Sequence, residues 1–122
     1  LDEQEREYAS ATVSTADSDY HYSVAWLLEK EGPRSGEKHP INWDECTIGR
    51  DRENSIIIED QSISLKHAKI RRVRKGYYIF DLVSDNGTYL NGKKLLRPKL
   101  LNDWDEISMG RTTLIFRGSK KS

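Results

Sequence analysis

From residue 22 onward the chain is a succession of short apolar or alternating runs, each broken by glycine, proline, asparagine, aspartate or serine. Ser23-Val24-Ala25-Trp26-Leu27-Leu28-Glu29 contains no breaker and is too short for a stable helix, so it predicts a largely buried strand. Gly32-Pro33-Arg34-Ser35-Gly36 is a turn by composition. Lys38 to Asn42 predicts a second strand, and Pro40 places it at a sheet edge. Glu45 to Gly49 predicts a third. Asp51 to Ser55 is a polar loop, Ile56-Ile57-Ile58 a β-branched strand, and Glu59 to Ile63 another loop. Ala68 to Arg74 alternates, with Ala68 and Ile70 on one face and Lys69 and Arg71 on the other. Lys75-Gly76 predicts a hairpin turn. Tyr77 to Val83 alternates again, with Tyr78, Phe80 and Leu82 opposite Tyr77, Ile79 and Asp81. Ser84 to Gly87 is a turn cluster before the brief run Thr88-Tyr89-Leu90. Asn91-Gly92 is the strongest hairpin signal, because a type I′ turn needs positive φ at both central residues. Lys94 to Leu96, Asp105 to Met109 and Thr112 to Arg117 complete the strands, with Gly110-Arg111 a second hairpin turn.

This pattern predicts about ten short strands at near-regular spacing and no helix, hence an antiparallel β-sandwich or barrel. The connections are too short for a parallel α/β sheet. Trp26, Ile48, Ile57, Ile70, Phe80, Leu82, Ile107, Leu114 and Phe116 are the expected core. Residues 1–21 are rich in acids, Ser, Thr and Ala and nearly lack large aliphatics. Such a segment cannot bury enough apolar area to offset its ordering entropy, so a disordered tail or linker is expected there. Residues 22–118 are the expected domain and 119–122 a C-terminal tail. A chain opening on Leu1 suggests a fragment of a longer protein.

Composition narrows the function more than the fold. Basic and acidic residues are equal at 20 each, for a net charge of zero. That argues against a broad nucleic-acid or membrane surface. The basic run Lys69 to Lys75 fits the solvated face and end of a strand better than a nucleic-acid patch. Cys46 is the only cysteine, so no internal disulfide forms, and its apolar surroundings predict a buried, unreactive thiol. No apolar run has membrane-spanning length. Cytoplasm is the default location, with the nucleus open to a eukaryotic protein. His21, His39 and His67 lack the paired spacing of a metal site, and no Walker or dinucleotide loop occurs, so no cofactor is expected.

Ser64 and His67, three residues apart, raise a nucleophilic reading. It would also need an orienting carboxylate and an oxyanion site, the chain has no G-x-S-x-G elbow and no S-x-x-K motif, and a hydrolase is the weakest alternative. A binding reading suits the loops better. A phosphoryl group on a peptide offers close to two negative charges and three acceptor oxygens. Its site needs a planar guanidinium and neutral donors. Arg50 follows Gly49 at a strand end, Ser64 lies in the next loop and Asn86 in a third. Loops at one end of a sandwich cluster in space.

Gly49-Arg50, then Ser64-x-x-His67, then Asn86-Gly87-Thr88 and Asn91-Gly92 resemble, in order and spacing, the signature of the forkhead-associated (FHA) family. The resemblance covers roughly residues 22–118. It implies an eleven-stranded β-sandwich, without catalytic activity, whose loops at one end bind phosphothreonine peptides. By that resemblance Arg50 and Ser64 hold the phosphate, Asn86 grips the peptide backbone, and His67 ties the loops together. Gly49, Gly87, Thr88, Asn91 and Gly92 belong to the structural motif.

Two positions depart from the pattern. Leu65 stands where many members carry a hydrogen-bonding Arg or Asn, leaving Lys66 to supply charge. Asp85 stands where a neutral residue is common, and is expected to face Arg50, Lys66 or a basic residue of the ligand. The expected partner is a phosphothreonine-containing protein or peptide. The chain's own tail, phosphorylated at Thr12 or Thr15, is a second candidate occupant. The rival function is a phosphate-independent assembly module on the same scaffold.

Overall fold

The structure, a computed structural model, describes residues 24–42, 44–74 and 76–119. The expected tail, with Thr12, Thr15 and His21, lies outside the described residues. Eleven strands follow one another: β1 (Val24–Glu31), β2 (Lys38–Pro40), β3 (Glu45–Gly49), β4 (Ile56–Ile57), β5 (Ala68–Val73), β6 (Gly76–Asp81), β7 (Thr88–Leu90), β8 (Lys93–Lys94), β9 (Lys99–Leu100), β10 (Glu106–Met109) and β11 (Thr112–Ser119). They form a six-stranded sheet, β2-β1-β11-β10-β7-β8, and a five-stranded sheet, β4-β3-β5-β6-β9.

The two sheets bury one core between them. The first contributes Ala25, Leu27, Ile107, Met109, Leu114 and Phe116; the second contributes Cys46, Ile48, Ala68, Ile70, Tyr77 and Ile79. The rings of Tyr77 and Phe116 meet across the interior with centroids 5.8 Å apart. Each fully buried aliphatic of this set contributes about 1.5–3 kcal/mol by leaving water. Cys46 is buried as expected, and burial pushes its thiol up to about 11 against a smaller opposing hydrogen bond from Ser55.

The alternation places four expected core residues differently. Ala25, Leu27 and Glu29 face inward from β1, which leaves Trp26 half-buried on the outer face. There Lys38 Nζ lies 4.4 Å from the Trp26 ring centroid, a cation covering the ring. Phe80 is buried, but with Val73, Tyr78 and Leu100 on the outside of the second sheet. Leu82 lies beyond the end of β6 and is half-buried. Ile57 is 40% exposed, because its neighbours Ile56 and Ile58 are the two that enter the core.

The turns bear out two hairpin expectations and shift a third. Leu90 pairs with Lys93 around Asn91 (φ 51°) and Gly92 (φ 84°), the geometry that Asn-Gly favours. Met109 pairs with Thr112 around Gly110-Arg111. Val73 pairs with Gly76, so Gly76 already belongs to β6 and not to the turn, and Arg74 takes φ 59°. The antiparallel expectation also has an exception, since β3 and β4 pair in parallel through Ile48–Ile56 and Gly49–Ile57. The pair is two residues long, and so short a ladder closes with a tight loop instead of a crossover helix. The expected strand Lys94 to Leu96 is reduced to Lys93–Lys94, and β9 has no counterpart among the sequence expectations.

Candidate functional site

Three connections meet at one end of the sandwich: residues 50–55 after β3, residues 58–67 after β4, and residues 82–87 after β6. Each carries one sequence-predicted site residue. The backbone segment Ser62 to Ser64 is where they converge. Arg50 donates its backbone N–H to Ser64 O at 3.1 Å and its Nε–H to Ile63 O at 3.0 Å. Asn86 Nδ2 donates to Ser62 O at 2.9 Å. Ser64 Oγ accepts the N–H of Asp85 at 3.0 Å. Arg50, Ser64 and Asn86 are therefore brought together around one backbone segment.

The groups left over are complementary to an anion on a peptide. With Nε fixed, the two terminal nitrogens of Arg50 have no hydrogen-bond or ion-pair partner among the described residues. Ser64 Oγ accepts one bond and retains its own hydrogen to donate. The Asn86 side-chain oxygen is likewise unengaged among the described residues. A guanidinium held at Nε presents its fork with little rotamer entropy left to lose.

Buried polar contacts fix this arrangement from below. His67 is fully buried at the head of β5. Its Nδ1 accepts the Ser64 N–H at 3.1 Å, so the ring proton sits on Nε2, which donates to Gly87 O at 2.9 Å. Its backbone completes the tie, N–H to Ile48 O and O from Leu82 N–H, both at 2.9 Å. Gly49 is required by close approach: a Cβ there would run into the Leu65 carbonyl and the Asn54 amide. Asn54 Nδ2 donates to Asp51 O at 2.8 Å and Leu65 O at 2.7 Å, binding the first two loops together.

Two carboxylates that sequence reasoning did not single out, Asp60 in a loop and Asp81 at the end of β6, organise the same end. Asp81 Oδ1 accepts from Ser84 Oγ at 2.5 Å and Thr88 Oγ1 at 2.7 Å, while Oδ2 accepts the Ser84 N–H at 3.1 Å. Ser84 Oγ in turn receives the Gly87 N–H at 2.9 Å, which shapes the loop that presents Asn86. Asp60 accepts from Ser62 N–H and Oγ on one oxygen, and from Arg111 N–H and Thr112 Oγ1 on the other. Burial alone would raise both carboxyls, but these hydrogen bonds outweigh it and hold both below the ordinary 3.8. The available signal was local: Asp60-Gln61-Ser62 has the spacing of an Asx turn, in which a carboxylate accepts the N–H two residues on.

The departures take definite places. Leu65 is exposed, and its carbonyl is consumed by the Asn54 and Asp51 contacts. Lys66 is exposed with no ion-pair partner among the described residues. Asp85 makes no ion pair with Arg50 or Lys66 among the described residues; its contribution here is the N–H to Ser64. Among the described residues no His, Cys, Asp and Glu group is placed to hold a metal, and no helix is long and apolar enough to cross a membrane. Gly87, Thr88 and Gly92 act through the backbone and buried contacts already described, while Asn91 also ties its turn to the start of β10 with its side chain, Nδ2 donating to Asp105 Oδ1 at 3.0 Å and Oδ1 accepting the Glu106 N–H at 2.9 Å.

Residues 46–110 match the family model described as FHA domain. The chain belongs to the FHA domain family. The chain is 31% identical over 116 residues to an oxoglutarate dehydrogenase inhibitor of Corynebacterium diphtheriae, an alignment covering 95% of this chain and 80% of the relative. In structure it resembles an FHA domain solved for its phosphothreonine-dependent interactions, with TM-score 0.74 and 25% identity over 81% of this chain and 100% of the other. It also resembles Mycobacterium tuberculosis EmbR in complex with a low-affinity phosphopeptide, with TM-score 0.75 and 28% identity over 96% of this chain and 31% of that one. The sandwich of this FHA domain thus carries its free Arg50, Ser64 and Asn86 groups at the same end as the loops the family motif marks.

Proposed function

We propose that this FHA domain is a reader of phosphothreonine-containing peptides that recruits phosphorylated protein partners, without chemistry of its own. Arg50 supplies the main charge for the phosphate, Ser64 a neutral donor, and Asn86 the contact to the peptide backbone. Lys66 adds charge at the rim, while Leu65 and Asp85 border the ligand and bear on which flanking residues are accepted. The observation that carries this reading is the Arg50 guanidinium, fixed at Nε by Ile63 O with its fork unpaired among the described residues. Such a cation at the surface of three tied loops is a receptor waiting for an anion, and a dianionic phosphate is the biological anion that matches a planar fork plus neutral donors.

His67 belongs to the scaffold under this reading. Both its ring nitrogens are occupied by backbone groups, so neither is available to activate the Ser64 hydroxyl, and the hydrolase alternative has no base. The relative in Corynebacterium diphtheriae is named as an inhibitor, which fits a module that acts by docking on proteins. A phosphorylated Thr12 or Thr15 in the same chain would reach the site intramolecularly, with an effective concentration in about the millimolar range.

An oriented phosphothreonine peptide library and its unphosphorylated twin, presented to the wild type and to Arg50→Ala, test the assignment. Retention that needs both the phosphate and Arg50 supports it. Equal retention of the two libraries by both proteins would make the domain a phosphate-independent assembly module instead.

A further inference from the structure

The end of the sandwich away from Arg50 holds a hollow of its own. β1 starts there at Val24, and β5 turns into β6 there, with Arg72 paired to Tyr77. A crevice of about 470 Å³ opens where β1 and β2 of one sheet face β5 and β6 of the other. Val24, Trp26, Lys38, Ile41, Arg72 and Tyr77 line it. Apolar walls with a few convergent polar groups are the usual make-up of a binding pocket. Here two of the polar groups are cations held over aromatic rings. Lys38 Nζ lies 4.4 Å from the Trp26 ring centroid, and the Arg72 guanidinium carbon 5.7 Å from that of Tyr77. Neither cation has an ion-pair partner among the described residues. Asp44 is the acid on the wall, and its carbonyl accepts the Arg72 N–H at 2.7 Å.

The chain itself supplies a segment of matching chemistry. Residues 1–23 carry six acids and one base, while residues 24–122 carry nineteen bases and fourteen acids. The net charge of zero therefore conceals −5 on the segment against +5 on the domain, and the two attract. The segment joins the fold at Val24, on the wall of the crevice. Its adjoining stretch reads Asp17-Ser18-Asp19-Tyr20-His21-Tyr22. Two carboxylates answer two cations, and the tyrosine rings suit a crevice with an indole on its wall.

We propose that residues 17–22 dock in this crevice, with Asp17 and Asp19 on Lys38 and Arg72 and a tyrosine ring beside Trp26. The contact needs no phosphate and lies at the end opposite Arg50, so it stands whether or not the domain reads phosphothreonine. Each exposed ion pair is weak in water. Tethering at Val24 gives the segment an effective concentration in about the millimolar range, which populates a contact that would be sparse between separate molecules.

The test is paramagnetic broadening of amide resonances in the full unphosphorylated chain, with a nitroxide attached through Ser14→Cys. The label is selective because Cys46 is buried and its thiol is pushed up to about 11. β1 lies between β2 and β11, so the two sides of Val24 can be compared. Broadening is expected at Lys38, Ile41 and Arg72, on the crevice side, and not at Gly118 on the β11 side. Asp17→Asn with Asp19→Asn changes only the segment and leaves the domain intact. This double variant should reduce the docked-to-free ratio by about threefold or more. Equal broadening on both sides of Val24, or broadening that the asparagine variant leaves unchanged, is mere nearness to Val24 and overturns the proposal. Broadening centred on Arg50 and Asn86 overturns it as well. So does crevice broadening that disappears when labelled protein is diluted with unlabelled, since a second copy would then be the occupant.

Discussion

His67 Nε2 lies 2.9 Å from the carbonyl oxygen of Gly87, while Nδ1 of the same ring accepts the N–H of Ser64. One buried imidazole thus joins the loop bearing the Ser64 hydroxyl to the loop bearing the Asn86 amide. Replacing His67 with Ala would leave the Ser64 N–H and Gly87 O buried without partners and open a cavity. We expect a loss of about 3 kcal/mol in stability, read from the urea unfolding midpoint, together with weaker phosphopeptide binding. His67→Ala with unchanged stability would remove the ring from its structural role.

Gly49 sets the distance between the first two loops. Gly49→Ala would drive its methyl into the Leu65 carbonyl and the Asn54 amide. Backbone cannot yield as a flexible side-chain end can, so we expect about 1–3 kcal/mol of destabilisation. The displaced Arg50, next in the chain, should also weaken phosphopeptide binding. Thermal unfolding and a titration on the same sample check both effects.

Asn54 bridges Asp51 O and Leu65 O with one amide nitrogen. Asn54→Ala removes both bonds and should lower stability by about 1–3 kcal/mol. Backbone amide exchange at Asp51, whose N–H bonds to Leu65 O, should accelerate along with it.

Asp60 and Asp81 make the fold sensitive to acid. Both are held below 3.8 when folded, so the folded state binds their protons less readily than the unfolded chain. Their contribution is complete above the unfolded value and lost as the pH falls through the lower folded values. The urea midpoint should therefore be nearly flat from about pH 7 to 5 and fall below about pH 4. Asp60→Asn and Asp81→Asn should each lower stability at neutral pH and flatten the acid limb. An acid limb identical to the wild type in both variants would contradict this account.

The sequence made the turns legible because each depends on a few local residues, and the three loop motifs legible through their order and spacing along the chain. Asn91-Gly92 takes positive φ whatever the rest of the chain does, whereas the reason for Gly49, the Leu65 carbonyl pressed against it, comes from the next loop. Sides of strands were harder to read. Gly76, Tyr77, Tyr78, Ile79 and Phe80 are all buried, so the alternation in β6 could not say which face meets the main core. Three consecutive isoleucines carried the same ambiguity for Ile57. In β1 the inward row ends in Glu29, a buried acid bonded to His39 Nε2 at 3.0 Å and to the Arg34 N–H at 2.5 Å. An acid in that register reads as solvent-facing from sequence, and its bonds to His39 from β2 and to the Arg34 N–H admit it to the inward row. Asp60 and Asp81 were hard to read for a related reason: the Ser62 and Ser84 donors are local, but Arg111 and Thr112 reach Asp60 only through the fold.

The central claim is that Arg50 reads a phosphate. Calorimetric titration of one phosphothreonine peptide and its dephosphorylated twin, against the wild type and Arg50→Ala, addresses it most directly. Losing a charge-assisted contact of this kind costs about 1.5–3 kcal/mol, so either removing the phosphate or truncating Arg50 should weaken binding by about tenfold or more. Combining the two should add little, since each removes one half of the same contact. Equal affinity for the two peptides, or an Arg50→Ala protein that binds the phosphopeptide like the wild type, would contradict the account.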